Sequence, residues 1–293
     1  MLAAHKTLAW VRALRPLAQG NLAPFLLVGA LEGRRAGLPV DGLGLGLALA
    51  WGAADHAVIV LANDLGDEAA DRLSSSNTLL SGGSRVLVDG SLSRRALAYG
   101  LATAVAALLA VTAIGVALVP EHASIFASCT VLALLVLGAY GHGPRLSYRG
   151  GGEYLQALGV GVILPTVGAA LQPAHTGTLG IGSYALLALL GFAGNVATSI
   201  PDADADLAAG KRSPAARLGR LRAFALALAA NLIAMTGVGL ARTPLAFLAA
   251  PLFAVAVLEG RTLRDASRCT RAVYPLAFGG GAVVAAWALA MAW

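Results

Sequence analysis

Charged residues are scarce in this chain. Asp, Glu, Lys and Arg make up 12% of its 293 residues, against 58% hydrophobic, where a soluble domain carries about a quarter charged residues. That deficit excludes a water-soluble globular domain, and with a mean hydropathy of +0.75 the sequence reads as an integral membrane protein. Cysteine is nearly absent. Cys129 stands in an apolar run and Cys269 in a loop, so there is no disulfide framework and no metal-ligand spacing, and redox chemistry is not indicated. Acidic residues number 15 against 21 Lys and Arg. The basic surplus does not mean a nucleic-acid partner, because these residues fall in short loops between apolar segments, where they act as topology signals. In the first twenty residues Lys6, Arg12 and Arg15 interrupt the apolar ones throughout, which excludes a cleavable signal peptide. Residues 1–16, with Leu2, Leu8, Trp10, Val11 and Leu14 interleaved, are expected as an amphipathic segment in the membrane interface.

Apolar runs of about 20 residues, long enough to cross a hydrocarbon core, are abundant. Nine can be marked, at 17–33, 42–63, 95–118, 123–140, 153–172, 178–200, 222–240, 244–260 and 271–292. The first and eighth are short and contain Pro24 and Pro251. The basic residues test this partition. One set of alternate loops, together with the N-terminus, holds 18 of the 21, and the other holds only Arg34, Arg35 and Arg242. By the positive-inside rule the chain is expected to be a multi-pass protein of the cell membrane with its N-terminus in the cytoplasm.

Scarce charge makes its placement informative. Directly after the second run come Asn63, Asp64, Asp67, Glu68 and Asp71. On one continuous helix Asn63, Asp67 and Asp71 follow at i, i+4 and i+8, with Asp64 and Asp71 nearly superimposed, so one face carries a column of oxygen ligands. Carboxylates a few ångströms apart in low dielectric cannot all ionise cheaply, and a hard cation removes the conflict. Oxygen donors without Cys or His suit Mg²⁺, which shares its remaining positions with water and phosphate oxygens. A second cluster, Asp202, Asp204 and Asp206, follows the sixth run. Asp202 and Asp206 share a face, whereas Asp204 points away. By the same topology both clusters face the cytoplasm. Asp55 lies within the second run; His56 precedes Asn63 by seven residues and Asn195 precedes Asp202 by seven, so these three are expected to line a pocket. The glycines of the fifth run (Gly159, Gly161, Gly168) and the ninth (Gly279, Gly280, Gly281) suit close helix packing or room for a slim substrate.

Basic residues follow both clusters: Arg72 and Arg85 after the first, Lys211 and Arg212 after the second. With Mg²⁺ they make a mouth for a polyanion, and the polyanion that also belongs in an apolar bundle is an isoprenoid diphosphate. Stabilised charge on the leaving diphosphate and an apolar chamber that shields the carbocation are the chemistry expected.

The chain resembles the UbiA superfamily of intramembrane prenyltransferases. The superfamily's first signature, N-D-x-x-D-x-x-x-D, is matched by Asn63, Asp64, Asp67 and Asp71, and its second, D-x-x-x-D with a basic segment after it, by Asp202, Asp206 and Ala209 to Ser213. The nearest likeness is to the 1,4-dihydroxy-2-naphthoate prenyltransferase branch and its relatives, through Ser81 to Leu87, Tyr140 to Pro144 with Tyr148 and Glu153, and Ala216 to Gly219. The segment before Asn63 and the loop at Ser81 depart from that branch: Asp55 and His56 stand where quinone-forming members have Gln and Asn. The resemblance implies an all-α fold, with nine transmembrane helices around a central apolar chamber, and residues 1–293 as one domain. It implies Mg²⁺ on the two aspartate motifs, with Asp64, Asp67, Asp202 and Asp206 catalytic, and diphosphate contacts from Arg85, Arg145, Lys211 and Arg212. Tyr140 and Tyr148 would line the substrate pocket. The expected activity is transfer of a prenyl group from an allylic diphosphate to an aromatic or other lipophilic acceptor. The alternative is a terpene cyclase of the same superfamily, which closes the prenyl chain on itself. A transporter is disfavoured because nearly all the charge sits on one side of the membrane, and an alcohol phosphatidyltransferase because its D-G-x-x-A-R pattern is absent.

Overall fold

The computed structural model describes residues 2–16, 22–74 and 83–293, with side chains from Lys6 onward. Ser81 and Gly82, expected to carry part of the resemblance, lie outside the described residues. Every regular element among those described is helical. In chain order they are α1 (Leu2–Leu14), α2 (Ala23–Leu31), α3 (Gly42–Gly66), α4 (Glu68–Leu73), α5 (Arg94–Leu118), α6 (Ala123–Gly141), α7 (Leu146–Arg149), α8 (Gly152–Leu158), α9 (Leu164–Ala170), α10 (Ile181–Thr198), α11 (Ala203–Ala208), α12 (Pro214–Leu218), α13 (Arg220–Ala241), α14 (Ala250–Leu258) and α15 (Thr270–Ala292). A π-helical turn, Gly159–Ile163, joins α8 to α9, and 3₁₀ turns flank α14.

Among the described residues, eight segments are long and apolar enough to cross a membrane: Gly42–Gly66, Arg94–Leu118, Pro120–Gly141, Gly152–Ala170, Ile181–Ser199, Arg220–Ala241, Pro244–Arg264 and Thr270–Ala292. They coincide with the second to ninth runs read from sequence. Of the first run, 17–33, the described part is α2, nine residues that tighten into a 3₁₀ turn over Glu32–Ala36 and stop at Gly37, φ 76°. The outer faces are apolar, with Leu109, Ile114, Leu135, Leu240 and Leu258 exposed.

Small residues set how closely the helices approach. A Cβ on Gly29 would stand 1.8 Å from the Pro165 carbonyl oxygen, and one on Gly168 2.1 Å from that of Leu26, so α2 and α9 meet backbone to backbone. Where polar groups enter the core they satisfy one another. The Trp51 indole donates to Thr130 Oγ1 at 3.0 Å, and that hydroxyl lies 2.9 Å from Thr112 Oγ1, linking α3, α6 and α5. At the start of α3 the Asp41 side chain accepts from the Gly44 N–H, while Gln172 accepts from the Asp41 N–H at 2.8 Å.

The N-terminal helix is docked on this bundle. Ala9 and Ala13 are buried, while Leu8, Val11 and Leu14 remain exposed. Carbonyls at a helix C-terminus lack intrahelical donors, and His56 meets this need for α1: its Nε2 lies 3.0 Å from the Leu14 oxygen and 3.3 Å from that of Arg15. Arg12 donates to Asp89 at 2.7 Å and to the Ser84 carbonyl at 3.0 Å. The segment expected in the membrane interface is tied to α3 and to the loop before α5.

Candidate active site

The first acidic stretch is not one continuous helix. α3 ends at Gly66, where a Cβ would come within 3.2 Å of the Gly141 carbonyl oxygen, and Asp67 bends the chain (φ −101°, ψ 7°) before α4 begins. The i to i+4 backbone bonds persist through the bend, Asp67 N–H to Asn63 at 2.8 Å and Asp71 N–H to Asp67 at 2.9 Å, so the expected column survives. Asn63, Asp64, Asp67 and Asp71 line one pocket, with Glu68 turned outward onto Arg72 and Arg94 at 2.8 and 2.7 Å. The second stretch comes to the same place by a similar device. Beyond α10 the chain turns, Asp202 precedes the short α11, and Asp202 and Asp206 enter the pocket, while Asp204 leaves it to pair with Arg220 at 2.6 Å.

Between the clusters stands Lys211. Its ammonium is 2.7 Å from Asp67 Oδ2 and 3.8 Å from Asp206 Oδ1, so one cation joins the two motifs. Burial alone would lower the Lys211 pKa; the facing Asp67, Tyr140 and Asp206 outweigh it and the net shift is upward. Two of the acids shift upward as well, which in a carboxyl favours the neutral form. Burial first, and then the charges of Asp67 and Asp64, push the Asp71 carboxyl up to about 7. Burial likewise raises Asp206 to about 6, against the pull of Lys211. The pocket therefore holds more carboxylate than its cations neutralise.

Two residues that sequence reasoning did not assign to the site hold Asp64. The Arg15 guanidinium pairs with it, and the hydroxyl and N–H of Ser84 both donate to it, the latter at 3.2 Å. Ser74 Oγ lies 3.3 Å from Asp202, and the buried Glu153 pairs with Arg217 at the pocket wall. Gly83, with φ 65°, packs on Asp71 so tightly that a Cβ would stand 2.0 Å from the carboxylate. Arg15 is 49 residues from Asp64, and nothing in its neighbourhood marks it apart from a topology signal; the Gly83-Ser84 pair after an acidic run was the one visible hint.

Of the basic residues expected around a polyanion, Lys211 lines the pocket and four others do not. Arg72 is held at the surface by Glu68. Arg85, at φ 62°, donates to the carbonyls of Asp71 and Ser74 at 3.1 and 2.8 Å and so braces the first cluster from behind. Arg145 stacks 3.7 Å over the Tyr148 ring, and Arg212 is exposed, its N–H on the Tyr148 carbonyl. Among the described residues, no three His, Cys, Asp or Glu side chains are grouped closely enough to hold one metal ion in this arrangement. The donor set is nonetheless that of a hard-cation site: oxygen only, with surplus negative charge.

The pocket, with about 810 Å³ of empty space, is not closed below. Asn63 and Tyr140 also line two deeper spaces, and Asn195, which donates to the Tyr140 hydroxyl at 3.3 Å, lines one of them. The larger, about 1140 Å³, lies among α2, α3, α10, α13 and α15 and is floored by Gly280, Gly281 and Asn231; His56 is on its wall. There Gly281 makes room, whereas Gly279 is filled against the Phe253 ring. The smaller, about 510 Å³, lies between α3, α6 and the π-helical turn, with Asp55 on its wall. A polar mouth thus leads through one neck into a two-lobed apolar chamber.

The sequence model of the UbiA prenyltransferase family matches residues 21–279. No curated protein matches the chain. Among solved structures, the chain is similar to a UbiA homolog from Archaeoglobus fulgidus bound to GPP and Mg²⁺, with 17% identity over 97% of this chain and 100% of that one and a TM-score of 0.63. It is also similar to the apo UbiA homolog of Aeropyrum pernix K1, at 22% identity over 92% and 96%, TM-score 0.65. A digeranylgeranylglyceryl phosphate synthase matches at 13% over 98% of each chain, TM-score 0.55. At these identities the three structures establish a shared helical fold.

Proposed function

Because this integral membrane protein belongs to the UbiA prenyltransferase family, we propose that it ionises an allylic prenyl diphosphate and transfers the prenyl group to an aromatic or other lipophilic acceptor. The observation that carries this reading is Lys211, set between two carboxylate clusters at a polar mouth whose neck opens into an apolar chamber. The Archaeoglobus fulgidus homologue holding GPP and Mg²⁺ supports the substrate class and the metal.

Asn63, Asp64, Asp67, Asp71, Asp202 and Asp206 would hold Mg²⁺, with the surplus carboxylate of the pocket as the reason. Bound there, the metal supplies charge stabilisation for the departing diphosphate. The chain's own cations do the rest. Arg15 and Lys211 face the pocket from opposite clusters, each engaged with a carboxylate; turned to the diphosphate oxygens they bind it and disperse its charge. The allylic C–O bond breaks with its electron pair leaving on the diphosphate. Asn63 and Tyr140 form the neck at which the cation emerges, and the aliphatic walls below exclude water. The deep chamber also carries Asp55, Gln156 and Asn231, polar groups that serve an acceptor better than they serve a cation folding on its own alkenes. This favours transferase over cyclase. Residues 1–293 act as one domain in the cell membrane, with residues 1–16 at the interface and the mouth on the cytoplasmic side, where 18 of 21 basic residues fall.

The test uses purified protein with Mg²⁺ and C10 to C20 allylic diphosphates, first alone and then with a panel of phenols and aromatic acids, the organic extract being read by mass spectrometry. Prenylated acceptor that disappears with EDTA and returns with Mg²⁺ is expected. A cyclic hydrocarbon or terpene alcohol formed without acceptor would replace the reading with the cyclase.

A further inference from the structure

Asp55 is the most deeply placed acid of α3, and neither aspartate motif accounts for it. Its side chain is 5% exposed, it sits eight residues before Asn63, and it is therefore about 12 Å further along the helix axis from the mouth. Its Oδ1 is buried with no hydrogen-bond partner among the described residues. A carboxylate left unpaired in an apolar interior is costly, and such a group in a membrane-spanning helix usually faces a partner or a cavity. Asp55 faces a cavity. The smaller lobe is walled by Ile59, Val136, Leu155 and Leu164, and the Asp55 carboxylate is its one anionic group. Two further features make this a built space. The π-helical turn Gly159–Ile163 widens the wall opposite α3, a distortion frequent at functional sites, and a Cβ on Gly159 would reach no atom nearer than 4.0 Å, so that position is open.

Resting on the transferase reading, the geometry points to the Asp55 lobe as the acceptor site, and to an acceptor of one chemical class. Its occupant is an apolar ring system that bears a hydroxyl or N–H donor at the end away from the neck, which Asp55 accepts, while the carbon to be prenylated lies at Asn63 and Tyr140. An aromatic acid is excluded from that orientation, because its carboxylate would lie against another in low dielectric. The larger lobe, with its slim glycine floor, then takes the prenyl chain. Asp55 thus sets acceptor class, and the aspartate motifs set the ionisation.

Matched probes test this. 2-Naphthol and 2-naphthoic acid share a bicyclic body and differ in the polar group. Their binding to the full chain in lipid nanodiscs is followed by probe fluorescence, with empty nanodiscs subtracted. Wild type is expected to bind naphthol more tightly than naphthoate by about tenfold or more, the effect of one hydrogen bond to a charged group. Asp55→Leu should lose that advantage, and Asp55→Asn, which removes the charge but keeps a polar amide, should bring the two probes together by raising naphthoate affinity. Prenyl diphosphate binding and the melting temperature should stay at wild-type values in both variants. Wild-type naphthol affinity in Asp55→Leu, an unchanged probe ratio in Asp55→Asn, or wild type that prefers naphthoate or binds neither probe saturably would overturn the assignment. If naphthol binds as expected but no prenyl transfer follows on any acceptor, the transferase reading fails and with it the acceptor role, and the Asp55 lobe stands only as a binding site for a hydroxyl-bearing ring.

Discussion

The two acidic clusters have matching spacing but are held in different ways. The first is gripped by distant parts of the chain: Arg15 from the N-terminal segment and Ser84 from the following loop on Asp64, and Lys211 on Asp67. In the second, Ser74, 128 residues away, sets a neutral hydroxyl 3.3 Å from Asp202, and Lys211 stands 3.8 Å from Asp206. Both halves keep a carboxyl raised toward protonation, Asp71 in the first and Asp206 in the second, while Asp64 and Asp67 of the first each stand in a close ion pair. On the proposed reaction a divalent cation would gain most from the two raised carboxyls, Asp71 and Asp206, and a diphosphate would compete for the cations that now serve Asp64 and Asp67.

Substitutions can break this contrast, in falling order of effect. Asp67→Ala, Asp64→Ala or Asp202→Ala should lower turnover by about 10³-fold or more, the scale of losing a transition-state charge contact, in a protein that still melts cooperatively in detergent; wild-type activity in any of them would sink the metal assignment. Lys211→Met removes the cation that the two clusters share and should reduce kcat/KM for the prenyl diphosphate by about 10²-fold, with partial recovery in Lys211→Arg. Arg15→Gln touches the first cluster alone, where Ser84 still donates to Asp64, so a rise of about tenfold in KM with little change in kcat is expected, the signature of lost ground-state binding. Arg72→Ala removes an exposed pair with Glu68 and should leave steady-state constants within about twofold of wild type; a loss as large as that of Arg15→Gln would place Arg72 at the diphosphate after all.

The helices were legible because the bilayer imposes one rule, an apolar run of sufficient length, and α5, α13 and α15 obey it almost to the residue. The acidic motifs were legible because i, i+4 spacing survives the bend at Asp67. What could not be read depends on packing between segments far apart in sequence. Arg85 follows the first motif as a diphosphate ligand would, yet its positive φ turns the side chain onto backbone carbonyls. His56 has the register of a pocket residue, and it does line the larger lobe, but its Nε2 is engaged by α1. Arg15 looked like one more topology charge until the fold brought it to Asp64.

The neck at Asn63 and Tyr140 also bears on where the products go. One product of prenyl transfer is a multiply charged ion and the other is an oil. On the proposed reaction the ion would form on the polar side of the neck and the oil on the apolar side, each next to the phase in which it is soluble. Dilution of the diphosphate into water and of the prenylated product into lipid would then draw the proposed reaction forward.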